Sequence, residues 1–168
     1  MIHVCSLARL PATIDEVGAR HIVTMINDET KVVRPDCVAA ADHLFLGMHD
    51  IAAEMDGFRA PAEDHVHRLI AFVRRWPRKA PLVVHCWAGI SRSTAGAFIS
   101  ACALNPQRGE DKIARAIRDA SATAMPNVRL VALADGILGR EGRMVAAVEA
   151  IGRGVECQEG TPFRLDLE

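Results

Sequence analysis

The stretch Leu82-Val83-Val84-His85-Cys86-Trp87-Ala88-Gly89-Ile90-Ser91-Arg92-Ser93-Thr94 decides how the rest of the chain is read. It runs from a short apolar strand, through a tight loop carrying Cys86 and Gly89, into the opening of a helix. A loop that curls into a helix N-terminus aims several backbone N–H groups at one point, and the helix dipole adds partial positive charge there. That is a bed for an anion. A thiol set in it ionises readily, because the thiolate is the form that the bed prefers. Arg92, six residues beyond Cys86, returns to the same place with a planar fork that matches two oxygens of a phosphate. A sulfur nucleophile, an amide cradle and a guanidinium in one loop suit transfer of a phosphoryl group to cysteine. Were Cys86 an inert core thiol and Arg92 a surface residue, the agreement of strand, glycine, arginine spacing and helix onset would be coincidence.

Composition narrows the class. The chain has 168 residues, 50% of them apolar and 24% charged, which suits a globular fold with a sizeable core. A net charge of −1 gives no general reason to bind nucleic acid or an acidic membrane surface. Five scattered cysteines (5, 37, 86, 102 and 157), with no Cys-x-x-Cys pair, point to free thiols in a reducing compartment and not to a disulfide framework or a zinc site. The Met1-Ile2-His3-Val4-Cys5-Ser6 opening has no basic leader or long apolar region, so a cytoplasmic address is expected.

Outward from the loop, strand and helix patterns alternate first and helices dominate later. Residues 2–7, 20–26 and 43–48 read as strands, and 11–19 as a helix with proline in its first turn. Residues 50–60 read as irregular. Pro61 is expected to start a helix ending near Trp76-Pro77, with Val66, Leu69, Ile70 and Val73 on one face. Helices are expected over 92–104, 110–120, 126–138 and 143–151. The expectation is an α/β fold, a mostly parallel central sheet flanked by helices on both faces in three layers. The loop would sit at the carboxyl edge of a central strand. Residues 1–152 would form a single catalytic domain, and residues 153–168 a loosely ordered tail.

His85-Cys86, five residues, then Arg92-Ser93 resembles the His-Cys-x5-Arg-Ser/Thr signature of the protein tyrosine phosphatase superfamily. The wording Ala88-Gly89-Ile90-Ser91-Arg92-Ser93 is most similar to its dual-specificity branch. The resemblance implies the three-layer α/β architecture and metal-free hydrolysis of phosphomonoesters. Cys86 would be the nucleophile. The backbone of Trp87, Ala88, Gly89, Ile90, Ser91 and Arg92 would bind the phosphate. Supporting roles would fall to Ser93, whose hydroxyl stabilises the thiolate, and to His85, which would hydrogen-bond the loop backbone.

The general acid has to come from another loop. Leu44-Phe45-Leu46-Gly47-Met48-His49-Asp50 resembles the strand-then-Asp segment of the dual-specificity branch and makes Asp50 the first choice. Asp56 lies nearer the usual spacing to the cysteine but follows no strand. Either could be a plain turn or cap residue. Pro126-Asn127 resembles the Pro-Asn that opens a late helix near the active site in that branch, which makes Asn127 a supporting candidate or a simple helix cap. Where the branch usually has a glutamine, this chain carries Leu133.

No metal and no cofactor is expected. His65 and His67, two apart on a helix, point to different faces and are poorly placed to share an ion. The expected partner is a phosphorylated protein or a small phosphomonoester, with phosphotyrosine the leading group and phosphoserine or phosphothreonine also open; nucleic acid and membrane are not expected. The alternatives are a phosphate-binding pseudophosphatase module and a phosphatase of lipid or nucleotide substrates. The loop has no lysine, unlike the inositide-lipid branch. A last expectation is that Cys5 neighbours Cys86 and could trap it as a disulfide on oxidation.

Overall fold

The computed structural model describes residues 1–167 and builds one five-stranded sheet in the order β3-β2-β4-β1-β5. The strands are β1 (Ile2–Ser6), β2 (His21–Ile26), β3 (His43–Gly47), β4 (Leu82–Cys86) and β5 (Phe163–Leu165). The first four are parallel and β5 is antiparallel to β1. The helices are α1 (Leu10–Val17), α2 (Glu63–Arg75), α3 (Arg92–Leu104), α4 (Glu110–Ala120), α5 (Val128–Ile137) and α6 (Arg143–Ile151). Among the described residues, no helix is long and apolar enough to cross a membrane.

The two sheet faces are covered unequally. Side chains alternate along a strand, so in β4 Val83 joins Cys5, Leu10, Ile14 and Ile22 under α1, while Leu82, Val84 and Cys86 join the larger core under α2–α6. The three expected layers are present, one of them a single helix. In α2 the positions Val66, Leu69, Ile70 and Val73 are all buried, as their spacing predicts. The helix begins at Glu63, two residues later than Pro61 suggests. There the Ala62 N–H donates to His65 Nδ1 at 3.0 Å, one half of a capping box. His65 therefore caps a helix.

The tail corrects the expectation of a loosely ordered segment. Phe163 and Leu165 are buried and Arg164 between them is exposed, the period-2 pattern of a half-buried strand. The run is too short to stand out in sequence, and its partner β1 lies more than 150 residues earlier. Val4 pairs with Phe163 and Ile2 with Leu165. Before β5 the tail is tied first to the segment after α4 and then to the Cys86 loop: the Val155 N–H donates to the Ala122 carbonyl and the Gly160 N–H to the Ala88 carbonyl, both at 2.9 Å. Beyond β5, Arg108 Nη1 donates to the Asp166 carbonyl at 2.9 Å.

Candidate active site

β4 is the middle strand of the sheet, and Cys86 is its last residue. The chain then turns through residues 87–91 and enters α3 at Arg92. The turn depends on Gly89, whose φ of +74° is a conformation that side-chain-bearing residues rarely adopt. Space demands glycine as well, since a Cβ there would lie 2.8 Å from both the Cys5 carbonyl carbon and the Ser6 nitrogen.

Backbone hydrogen bonds orient the loop. The Trp87 carbonyl accepts from Leu7 N–H (3.2 Å), the Ala88 carbonyl from Gly160 (2.9 Å), the Ile90 carbonyl from Met125 (2.9 Å) and the Ser91 carbonyl from Asn127 (3.3 Å). In a trans peptide the N–H points opposite to the carbonyl of the same unit. The outward carbonyls of 87, 88, 90 and 91 therefore turn the amides of Ala88, Gly89, Ser91 and Arg92 inward. The Gly89 N–H meets Cys86 Sγ at 3.3 Å. Inward amides at a helix start make a concave site for negative charge.

Cys86 is buried, with its sulfur 3.1 Å from Ser93 Oγ. Arg92 is 7% exposed, and its Nη1 donates to the Met48 carbonyl at 2.8 Å. That bond anchors the guanidinium to the end of the β3 segment, while Nε, also buried, has no hydrogen-bond partner among the described residues.

Of the two candidate acids, Asp50 is the one drawn into this cluster. Its Oδ1 accepts from Ser91 Oγ (2.7 Å) and Asn127 Nδ2 (2.8 Å), and its Oδ2 lies 3.9 Å from Arg92 Nε. Asp56 lies in the exposed turn of residues 54–58, lining a hollow with Glu54, Phe58 and Arg129. Asn127 serves two ends at once: its Oδ1 accepts from Leu130 N–H at 3.0 Å to cap α5, and its amide holds Asp50. Leu133 packs against the main core. The hydrogen-bond donors to the Asp50 carboxylate are Ser91 and Asn127.

His85 is fully buried on the opposite sheet face, facing Thr24 in register. Its Nε2 is 2.7 Å from Thr24 Oγ1, which is also 2.7 Å from His43 Nε2. Beside the backbone of Cys86, which the ring also meets, His85 thus makes a cross-strand link to β2 and β3. Burial, more than any other cause, pushes the His85 pKa down to about 4 and keeps the ring neutral. Cys5 pairs with His85 while Ser6 pairs with Cys86, so the Cys5 thiol and Cys86 lie on opposite sheet faces. That placement argues against the expected Cys5–Cys86 disulfide. Burial first, and the nearby Cys86 and Glu159 second, push the Cys5 thiol up to about 12.

Sequence reasoning missed three contributors. Thr24 is an ordinary β-branched strand residue, the Met48 carbonyl is backbone, and Gly160 lies in the polar tail. None carries a local pattern. Among the described residues, no group of three or more His, Cys, Asp and Glu side chains converges as a metal site.

A family model described as protein-tyrosine phosphatase matches residues 56–124. The span includes the Cys86 loop and leaves Asp50 and Asn127 outside. No curated protein sequence matches the chain. Among solved structures, human DUSP28 superposes with a TM-score of 0.65 at 16% identity, covering 83% of this chain and 89% of its own. The Cydia pomonella PTP-2 phosphatase gives 0.63 at 18% identity, over 80% and 84% of the two chains. PTPMT1 in complex with PI(5)P gives 0.60 at 15% identity, over 84% and 94%. The fold is thus that of dual-specificity and related phosphatases, and the family model that matches over the Cys86 loop agrees with the resemblance read from its signature.

Proposed function

We propose, for a chain with the loop signature and fold of the protein tyrosine phosphatase superfamily, a cysteine-dependent phosphatase that hydrolyses phosphomonoesters, with protein phosphotyrosine the leading substrate. One observation carries this reading: Cys86 and Arg92, from one loop, and Asp50, from beyond β3, come together at a bed whose amides face inward.

In this mechanism the Cys86 thiolate attacks phosphorus in line with the departing oxygen. The S–P bond forms as the P–O bond to the leaving group breaks. The inward amides and the Arg92 guanidinium hold the equatorial oxygens as their charge develops. Asp50, in its acid form, gives its proton to the leaving oxygen. Ser91 and Asn127 occupy Oδ1, so delivery falls to Oδ2, the oxygen on the Arg92 side. In the second step the Asp50 carboxylate takes a proton from water as that water attacks the cysteinyl-phosphate. The S–P bond breaks, and Ser93 Oγ donates to the departing thiolate. Apart from substrate and water, these side chains supply every proton and electron pair.

Hydrolysis of an aryl phosphate is the direct test. Cys86→Ser should abolish turnover, and Arg92→Met should reduce it by about 10²-fold or more. Turnover that survives Cys86→Ser would overturn the mechanism. Binding of phosphate without turnover of any aryl phosphate would favour the pseudophosphatase reading.

A further inference from the structure

A cleft of about 450 Å³ opens beside the Cys86 loop, lined by Leu7, Ala8, Trp87, Ala88, Gln158 and Glu159. β1 and β4 are neighbours in the sheet, and strands so paired lie about 4.8 Å apart. The cleft therefore begins within one strand spacing of the loop that carries the nucleophile. Its floor and walls are apolar: Leu7 and Ala88 half-buried, with the Trp87 ring 62% exposed. Its polar side chains both come from the tail, and only one is charged.

That charged group is fixed in place. Ser6 Oγ donates to Glu159 Oε1, and Ser6 is the register partner of Cys86. The next residue, Gly160, ties the tail to the loop through the Ala88 carbonyl at 2.9 Å. Glu159 has no ion-pair partner among the described residues. Arg9 lines with it a smaller hollow of about 210 Å³, together with Gly160, Thr161 and Pro162.

We propose that this cleft is a substrate subsite for a basic side chain next to the phosphate-bearing residue of a peptide, its stem lying on Trp87 and Leu7 and its cationic head meeting Glu159. The inference rests on the phosphatase reading and names its substrate class. Long basic side chains suit such a site because they lay an apolar stem along apolar surface and keep the charge at the rim. A guanidinium also stacks favourably on an indole face. An anionic lipid headgroup would find its like charge in Glu159, which sets a phosphoinositide surface below a basic phosphopeptide.

The test compares kcat/KM on phosphotyrosyl peptides flanked by arginine or by alanine, with a small aryl phosphate as reference. Wild type should favour the arginine-flanked peptide by about fivefold at low salt, and less as ionic strength rises, since a rim charge is screened. Glu159→Gln keeps an acceptor for Ser6 and removes the charge; it should bring the ratio close to one and leave the aryl phosphate rate unchanged. Gln158→Glu, at an exposed position, should raise the ratio. Failure to hydrolyse the aryl phosphate would fell the phosphatase reading itself. An active enzyme whose ratio is near one, or whose ratio ignores Glu159→Gln, would overturn the subsite alone. So would a higher kcat/KM on phosphoinositide vesicles than on the basic peptide.

Discussion

The loop of residues 82–94 and the parts that surround it obey different logic. The loop is local: strand, turn glycine, arginine and helix start follow one another in thirteen residues, and each constrains the next. What surrounds it is assembled from afar. Asp50 arrives from beyond β3, Asn127 from the start of α5, and Gly160 from a tail that returns to cover the loop. The anion bed is thus a short-range device whose orientation is set by long-range bonds, and variants can separate the two.

The largest effect should come from Asp50→Asn. Loss of a general acid lowers kcat by on the order of 10²- to 10⁴-fold, most for a poor leaving group and least for an activated aryl phosphate. Asp56→Asn, in the exposed turn, should stay within about twofold. A loss confined to Asp56→Asn would move the acid to the neighbouring turn and break the assembly described above.

Next is Phe163→Ala. Phe163 is 8% exposed, and truncating a buried phenyl ring costs about 3 kcal/mol. A clear drop in melting temperature is expected, and an unchanged one would mean that the tail adds nothing to the fold. A third effect reads the sheet face behind the loop. His85 is held neutral with its pKa at about 4, against about 6.5 for an exposed ring. Between these values the unfolded chain binds the proton that the folded chain excludes. His85 therefore favours the fold above pH 6.5, and stability falls as pH drops toward 4, by up to on the order of 3 kcal/mol. Denaturant titrations at several pH values should show this slope, and His85→Gln should make it shallower, the remainder coming from His3, His43 and His65, whose pKa values burial also lowers. The smallest effect is that of Ser91→Ala, which removes one of two donors to Asp50 Oδ1 and should cost about five- to tenfold in kcat, the worth of one hydrogen bond.

How far the chain was readable from sequence follows the same division. Helices α2 to α6 and the four parallel strands were foreseen because their apolar periodicity is local. The Cys86 loop was readable for the same reason. Asp50 could be shortlisted only beside Asp56, since what separates them is a pair of hydrogen bonds from Ser91 and Asn127, 41 and 77 residues away. The tail looked loose because three residues of alternation carry little signal, and only pairing with β1 gives them meaning. Thr24 was invisible: nothing in a β-branched strand residue announces that two histidines share its hydroxyl.

The four outward carbonyls of the loop end on Leu7, Gly160, Met125 and Asn127, so the edge of β1, the tail, the turn before α5 and the cap of α5 each hold one corner. A cradle suspended from four such guy-lines has no half-built form. Slackening any one should tilt an amide away from the bound oxyanion while the rest of the molecule stays folded, so turnover would report the damage at temperatures where circular dichroism still records an intact protein.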